Sequence, residues 1–158
     1  MTVALSHIVK TFGATRAVDD ASLEIGGGEI VALVGENGAG KTTLMRIAAG
    51  ELAHDSGSVA ADGRVEVVHQ HFMLVNELTI AENIALGRSF RFATRRSLER
   101  AARETIDASG IALADPARRV TELSVGEKSK LELIKAISRQ PATLVLDEPT
   151  SVLTPHES

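Results

Sequence analysis

The sequence predicts an α/β fold with buried parallel strands at its centre. Two short continuous apolar runs, Ile30–Val34 and Leu144–Leu146, have the pattern of parallel strands covered on both faces. Strand-like, loop and helix-like segments alternate along the chain instead of clustering by type. A glycine-rich loop, Gly35–Gly40, sits between the first apolar run and a helical segment.

The elements follow in order. Residues 3–10 alternate Val3, Leu5, His7 and Val9 on one side and read as a strand; residues 21–25 read as a second. Gly26–Gly28 punctuates, and Ile30–Val34 is the first core strand. Lys41 to Ala49 reads as a helix stopped by Gly50 in the usual C-terminal position. Val59–Ala61 and Val65–Val68 flank Asp62-Gly63, a two-residue hairpin signal. From Thr79 to Val120 the character is helical, with Leu98, Ala102 and Ile106 recurring every four residues and Gly110 ending that stretch. A further helix runs from Leu123–Glu127 to about Arg139, with Leu131, Leu133, Ile134, Ala136 and Ile137 as its apolar face. Pro141 restarts the chain before the second core strand. There is no internal repeat, low-complexity segment or linker.

With 158 residues the chain has room for one domain and a sizeable core. A net charge of −4 gives no argument for nucleic acid as a partner. The basic cluster Arg88, Arg91, Arg95, Arg96, Arg100 and Arg103 reads as the solvated face of a helix. The absence of Cys excludes a disulfide framework and thiolate metal sites, which fits a reducing cytoplasm. The N-terminus lacks the apolar block of a signal peptide, and no run approaches the length that spans a bilayer. A membrane role therefore needs another chain to hold this one in place.

Gly35–Thr43 is a phosphate-binding loop. A phosphate needs several donors converging without side-chain bulk. Gly35, Gly38 and Gly40 let the backbone turn tightly and, with Asn37 and Ala39, point N–H groups inward. The helix that starts at Lys41 adds the positive end of its dipole. Lys41 reaches the β- and γ-phosphates, the Thr42 hydroxyl ligates Mg²⁺, and Thr43 donates to the α-phosphate. From average residue usage the pattern Gly-x₄-Gly-Lys-[Ser/Thr] arises by chance in roughly one chain in 200 of this length. Further on, Leu144–Leu146 delivers Asp147 and Glu148 at a strand's C-terminal end, where open α/β sheets place their ligands. Adjacent residues on a strand point to opposite sides, so the two carboxylates take different tasks. Asp147 holds Mg²⁺ through water; Glu148 orients and deprotonates the attacking water. Ser124 suits the N-cap of the following helix, and Gly126 leaves bare backbone for the approach of an anion.

The order of these motifs resembles the ATPase subunits of ABC transporters: Gly35–Thr43, then Leu123–Glu127, then Thr143–Thr150 ending in Asp147-Glu148-Pro149-Thr150. The resemblance covers nearly the whole chain. It implies a P-loop NTPase: a RecA-like core (residues 1–70 and 125–158), a small antiparallel β part and an inserted helical subdomain (residues 71–124), as one partial ATPase domain truncated at the C-terminus. It implies that Ser124 and Gly126 meet the γ-phosphate held by a second ATPase domain, in a head-to-tail dimer. Gln70 matches the glutamine that meets Mg²⁺ and the attacking water and senses the membrane partner. Phe12 sits where the family stacks an aromatic on adenine; core packing is its rival reading. Val125 and Glu127 depart from the common Leu-Ser-Gly-Gly-Gln, and Thr154 stands where Asp is commoner in the segment after Thr150. His69 and His71 flank Gln70 without an apparent third metal ligand and read as strand-end residues. The family carries a longer β-rich insertion than the few residues between Gly63 and Gln70, and its switch histidine lies further on than His156.

Val68–Val75, Leu78–Ile84 and Thr150–Pro155 look most like the ATPases of bacterial sugar and nucleoside importers. That resemblance implies an enzyme that binds ATP and Mg²⁺ and hydrolyses ATP to power import of a small solute. Its partners would be integral membrane permease subunits and, indirectly, an extracellular solute-binding protein, with no nucleic acid. It would sit at the cytoplasmic face of the membrane, with residues 72–120 against the permease and Glu82 and Asn83 at the contact. The alternatives are a soluble ABC ATPase acting on ribosomes and a truncated, non-hydrolysing nucleotide-binding module.

Overall fold

The structure is a computed structural model that describes residues 2–86 and 94–147. The described residues divide into two compact units, one of residues 2–67 with Pro141–Val145, the other of residues 68–86 and 94–140 with 146–147.

The first unit is organised by a long hairpin. β1 (Val3–Phe12) and β2 (Thr15–Ile25) run antiparallel through the turn at Gly13, from Val3 opposite Ile25 to Phe12 opposite Thr15. β3 (Ser56–Ala61) pairs antiparallel with the other edge of β1, giving the order β2-β1-β3. The strict alternation expected along β1 breaks at His7, whose φ of 54° makes a bulge. Val3 and Leu5 are buried as expected, but the third inward residue is Ile8, and His7 is exposed. The polar first half of β2, which carries no alternation, is strand through pairing with β1 and not through its own pattern. α1 (Lys41–Ala48) lays Leu44, Ile47 and Ala48 against Val3, Leu5, Ile8 and Val18 to form this unit's core. Gly50, at φ 74°, ends the helix where the sequence places its stop.

Two expectations for this unit fail. Ile30–Val34 is not a strand; its residues are exposed, with Val34 at 90 %. An apolar run favours burial but cannot supply the strand that buries it, and none pairs with it among the described residues. Asp62-Gly63 does not close a hairpin either. β3 ends on β1, and β4 (Val65–Val68) pairs instead with β5 (Thr143–Leu146). Thr143 N donates to Arg64 O at 3.2 Å, and Asp147 N to Val68 O at 3.0 Å, so the two strands run parallel. Gly63, at φ 114°, takes the redirecting turn and lies so close to Ala142 that a Cβ would touch it. β5 is a strand as expected, but it is half-covered and not buried on both faces.

The second unit is helical. α2 (Ile80–Ala85), α3 (Arg95–Ser109) and α4 (Val125–Ile137) enclose Ile80, Ile84, Ala102, Ile106, Leu131 and Ile134. The region expected to be helical throughout is interrupted. Gly110 ends α3 at φ 69°, and the chain through Pro116 and Arg119 is not helical. That stretch serves α2: the carbonyls of Arg118 and Pro116 accept from the first-turn amides of Ile80 and Ala81 at 2.9 and 3.0 Å. Ile137, expected on the inner face of α4, is exposed, while Glu132 and Lys135 are buried. Within the basic cluster, Arg95 pairs with Glu99 and Arg103 with Asp115 on the exposed surface. Arg88 and Arg91 lie outside the described residues. No helix among the described residues is long and apolar enough to cross a membrane.

Candidate nucleotide site

The loop from Gly35 to Gly40 turns through Ala39 N donating to Glu36 O at 3.1 Å. Gly38 and Gly40 have φ near 85°, a backbone that residues with a Cβ rarely adopt. Gly40 is further constrained, because a Cβ there would collide with the carbonyl of Ala17 on β2. The loop therefore passes tightly over the hairpin and enters α1 without a capping side chain and with no acidic residue in the first turn. Such a helix start presents N–H groups and positive dipole to an anion. The Lys41 ammonium folds back over the loop, donating to the carbonyls of Gly35 at 2.7 Å and Glu36 at 2.8 Å. Thr42 is exposed and Thr43 half-buried in the same first turn.

Phe12 ends β1 in the same unit and is 49 % exposed, so core packing is not its role. The Lys10 ammonium lies 5.5 Å from its ring centroid and is tied to Asp55 at 2.8 Å. Asp55 also accepts from Thr11 N at 2.7 Å. Its carboxyl is held below the usual range, first by Lys10 and then by the Thr11 amide. No local pattern in the sequence marks Lys10 and Asp55, which lie 45 residues apart in the chain.

The remaining site residues belong to the second unit. Asp147 closes the β4–β5 ladder on Val68, two residues before the exposed Gln70. Both residues thus emerge at the C-terminal ends of neighbouring parallel strands. His69 and His71 follow β4 directly, and no group of three metal-binding side chains occurs among the described residues. Ser124 is the N-cap of α4 and Gly126 lies in its first turn. Glu148, Thr150, Thr154 and His156 lie outside the described residues.

Glu127 has a structural role. Its carboxylate accepts from Ser124 N at 2.8 Å while Ser124 Oγ accepts from Glu127 N at 3.2 Å, a reciprocal capping box. Arg118 adds a bond at 3.1 Å. The Ser-x-x-Glu spacing carried this signal in the sequence. The Ser124 amide, foremost, holds the Glu127 carboxyl below its ordinary range; its hydroxyl and Arg118 add to this against partial burial. A depressed folded-state pKa means that the unfolded chain binds the proton more readily. The stabilisation is therefore present above the ordinary Glu value, about 4.3, and is lost as pH falls through and below it. Glu127→Ala is expected to reduce stability by about 1 kcal/mol near pH 7 and by much less near pH 3. Urea midpoints at the two pH values measure this; equal losses at both would assign the effect to packing.

A glycine-rich loop feeding an open helix start, with a lysine over it, is phosphate-binding geometry. The ABC transporter family profile matches residues 18–151. The chain belongs to the ABC transporter family. It is 40 % identical over 165 residues to a putative ribose/galactose/methyl galactoside import ATP-binding protein of Rhizobium meliloti (strain 1021), covering 96 % of this chain and 33 % of the relative. It is 38 % identical over 169 residues to the arabinose import ATP-binding protein AraG 1 of Burkholderia cenocepacia (strain HI2424), with coverages of 96 % and 33 %. It is 38 % identical over 167 residues to the ribose import ATP-binding protein RbsA 1 of Rubrobacter xylanophilus, with coverages of 95 % and 33 %. The chain spans about one third of the length of these curated relatives. Among solved structures it resembles a dimeric ATP-binding cassette in a post-hydrolysis state with ADP and Pi, at TM-score 0.83 and 23 % identity over 99 % of this chain and 78 % of that one. A dimeric bacterial ABC transporter cassette gives the same values. These likenesses establish the ABC ATPase fold for the chain, the fold class expected from its motifs.

Proposed function

We propose that this ABC family chain binds Mg²⁺-ATP and hydrolyses it to power import of a sugar through a partner permease. The open start of α1 carries the reading: two glycines at positive φ, no capping side chain, and the Lys41 ammonium within reach of the loop. These features fit a polyphosphate. The backbone of Gly35, Asn37, Gly38, Ala39 and Gly40 would cradle it, with Lys41 neutralising its β- and γ-oxygens and Thr43 donating to the α-phosphate. Phe12 offers an exposed ring face for adenine. Thr42, Gln70 and Asp147 would hold Mg²⁺, which supplies charge neutralisation on the phosphates when bound. Glu148 would take the proton of the attacking water, with Gln70 helping to orient it. Ser124 and Gly126 would meet the γ-phosphate of a second ATPase domain in a head-to-tail dimer.

The relatives named above favour sugar over nucleoside, and import over a ribosomal role. The chain would then work at the cytoplasmic face of the membrane, served indirectly by an extracellular solute-binding protein. Within residues 72–120, Asn83 is fully buried and is not itself a permease contact, while Glu82 stays partly exposed. Met73, Val75 and Leu86 are exposed apolar residues near Asn83 in sequence. Photo-crosslinking from Met73 or Leu86 in native membranes is expected to capture an integral membrane protein identifiable as a sugar permease. Capture of ribosomal proteins instead would overturn the import reading.

A further inference from the structure

Two buried charges on α4 have no part in the chemistry above. Lys135 is 8 % exposed and Glu132 7 %. The Lys135 ammonium donates to the carbonyl of Met73 at 2.7 Å, joining segments 62 residues apart. It stands 3.6 Å from Glu132 Oε1, an ion pair and not a hydrogen bond, and that oxygen has no hydrogen-bond partner among the described residues. Burying such a pair is expensive, and apolar residues of similar volume often stabilise as well or better. Packing alone therefore does not account for Lys135.

Its partner does. Met73 lies three residues after Gln70, in an irregular stretch with no ladder of its own. The same stretch is gripped at Val75 by Asn83 of α2, through bonds of 2.9 and 3.0 Å. One anchor thus comes from α2 and the other from α4, and both bind main-chain atoms. α4 is also the helix that opens at Ser124; from there to Lys135 it is a rigid rod of about 16 Å. We infer that Lys135 is a positioning residue that ties the segment following Gln70 to the helix beginning at Ser124, so that these two nucleotide contacts are set relative to each other. Glu132 neutralises the ammonium and keeps it in place. The inference rests on the proposed nucleotide roles of Gln70 and Ser124.

Four variants of the chain test it: Lys135→Met, the double variant Glu132→Gln/Lys135→Met, which leaves no buried charge alone, Lys135→Arg, and Gln70→Ala. Amide exchange over residues 71–75 is expected to be about tenfold faster in both methionine variants, near wild type in Lys135→Arg, and unchanged in the cores of α2 and α3. The factor by which Mg²⁺ improves ATP affinity, measured with Mg²⁺ and with EDTA, is expected to fall several-fold in the methionine variants and in Gln70→Ala, and to recover in Lys135→Arg. Unchanged exchange at residues 71–75 overturns the tether. Faster exchange without recovery by arginine reduces Lys135 to space-filling and overturns it too. If Gln70→Ala alone lowers the Mg²⁺ factor, the tether is structural and does not position. If Gln70→Ala leaves that factor unchanged, the reading of Gln70 fails, and with it what Lys135 would position, even where exchange responds.

Discussion

Lys41→Ala is expected to weaken Mg²⁺-ATP binding by about ten- to a hundredfold, the worth of one charge-assisted contact at about 1.5–3 kcal/mol. The ammonium already sits over the loop, 2.7 and 2.8 Å from the carbonyls of Gly35 and Glu36. It has one donor to spare for a phosphate oxygen without leaving that position, since an ammonium carries three and the carbonyls take two. The substitution removes the only cationic side chain between Gly35 and Thr43 and also releases the two carbonyls it holds. The α1 dipole and the loop amides remain, so binding weakens without vanishing. Titration calorimetry on wild type and variant decides it. Equal affinities would remove Lys41, and with it the phosphate-loop reading.

The loop was legible because its chemistry is local. Gly38 and Gly40 turn the backbone at positive φ straight into the helix that Lys41 begins. Nothing distant is needed to recognise them. The same holds for Gly50 and Gly110 as helix ends and for Ser124 as a cap. What failed was non-local. Ile30–Val34 is apolar enough for a core strand, yet a strand needs a neighbour, and its own residues do not name one. Asp62-Gly63 promised a hairpin, but β3 pairs with β1 and β4 with the distant β5, so long-range pairing overrode the turn signal. The shift of the inward face from His7 to Ile8 depends on a bulge that composition does not announce.

Polar letters misled in the opposite direction. Glu132 and Lys135 look like solvated helix residues, and Asn83 like a surface contact, since charged and amide side chains are seldom buried. Each is buried because a backbone or charged partner sits across from it. The backbone partners of Lys135 and Asn83, at Met73 and Val75, lie in an irregular segment that no periodicity marks. In the Leu78–Ile84 string that resembles sugar importers, Ile80, Ala81, Asn83 and Ile84 face inward on α2.

Asn83→Ala is expected to be the most damaging single change in the helical unit. Asn83 is 0 % exposed. Its Oδ1 accepts from Val75 N at 2.9 Å, and its Nδ2 donates to Val75 O and Thr79 O, both at 3.0 Å. Alanine leaves a cavity on the buried side of α2 and takes the acceptor from Val75 N, while Val75 O still accepts from Leu78 N at 3.2 Å. Thr79 O suffers less, because it still accepts from the residue-83 amide at 3.0 Å. Val75 is itself 40 % exposed, so water repairs part of the loss there. With that discount, one backbone amide without its acceptor, two carbonyls each short of one donor and a small cavity amount to about 1.5–3 kcal/mol. Asn83→Asp should be no milder: it keeps an acceptor for Val75 N but turns a carboxylate toward two carbonyls, with no amide to offer them. Urea unfolding followed by far-ultraviolet circular dichroism measures both. A loss below about 0.5 kcal/mol in Asn83→Ala would mean that water replaces the amide entirely and that the segment after Gln70 is held by Lys135 alone.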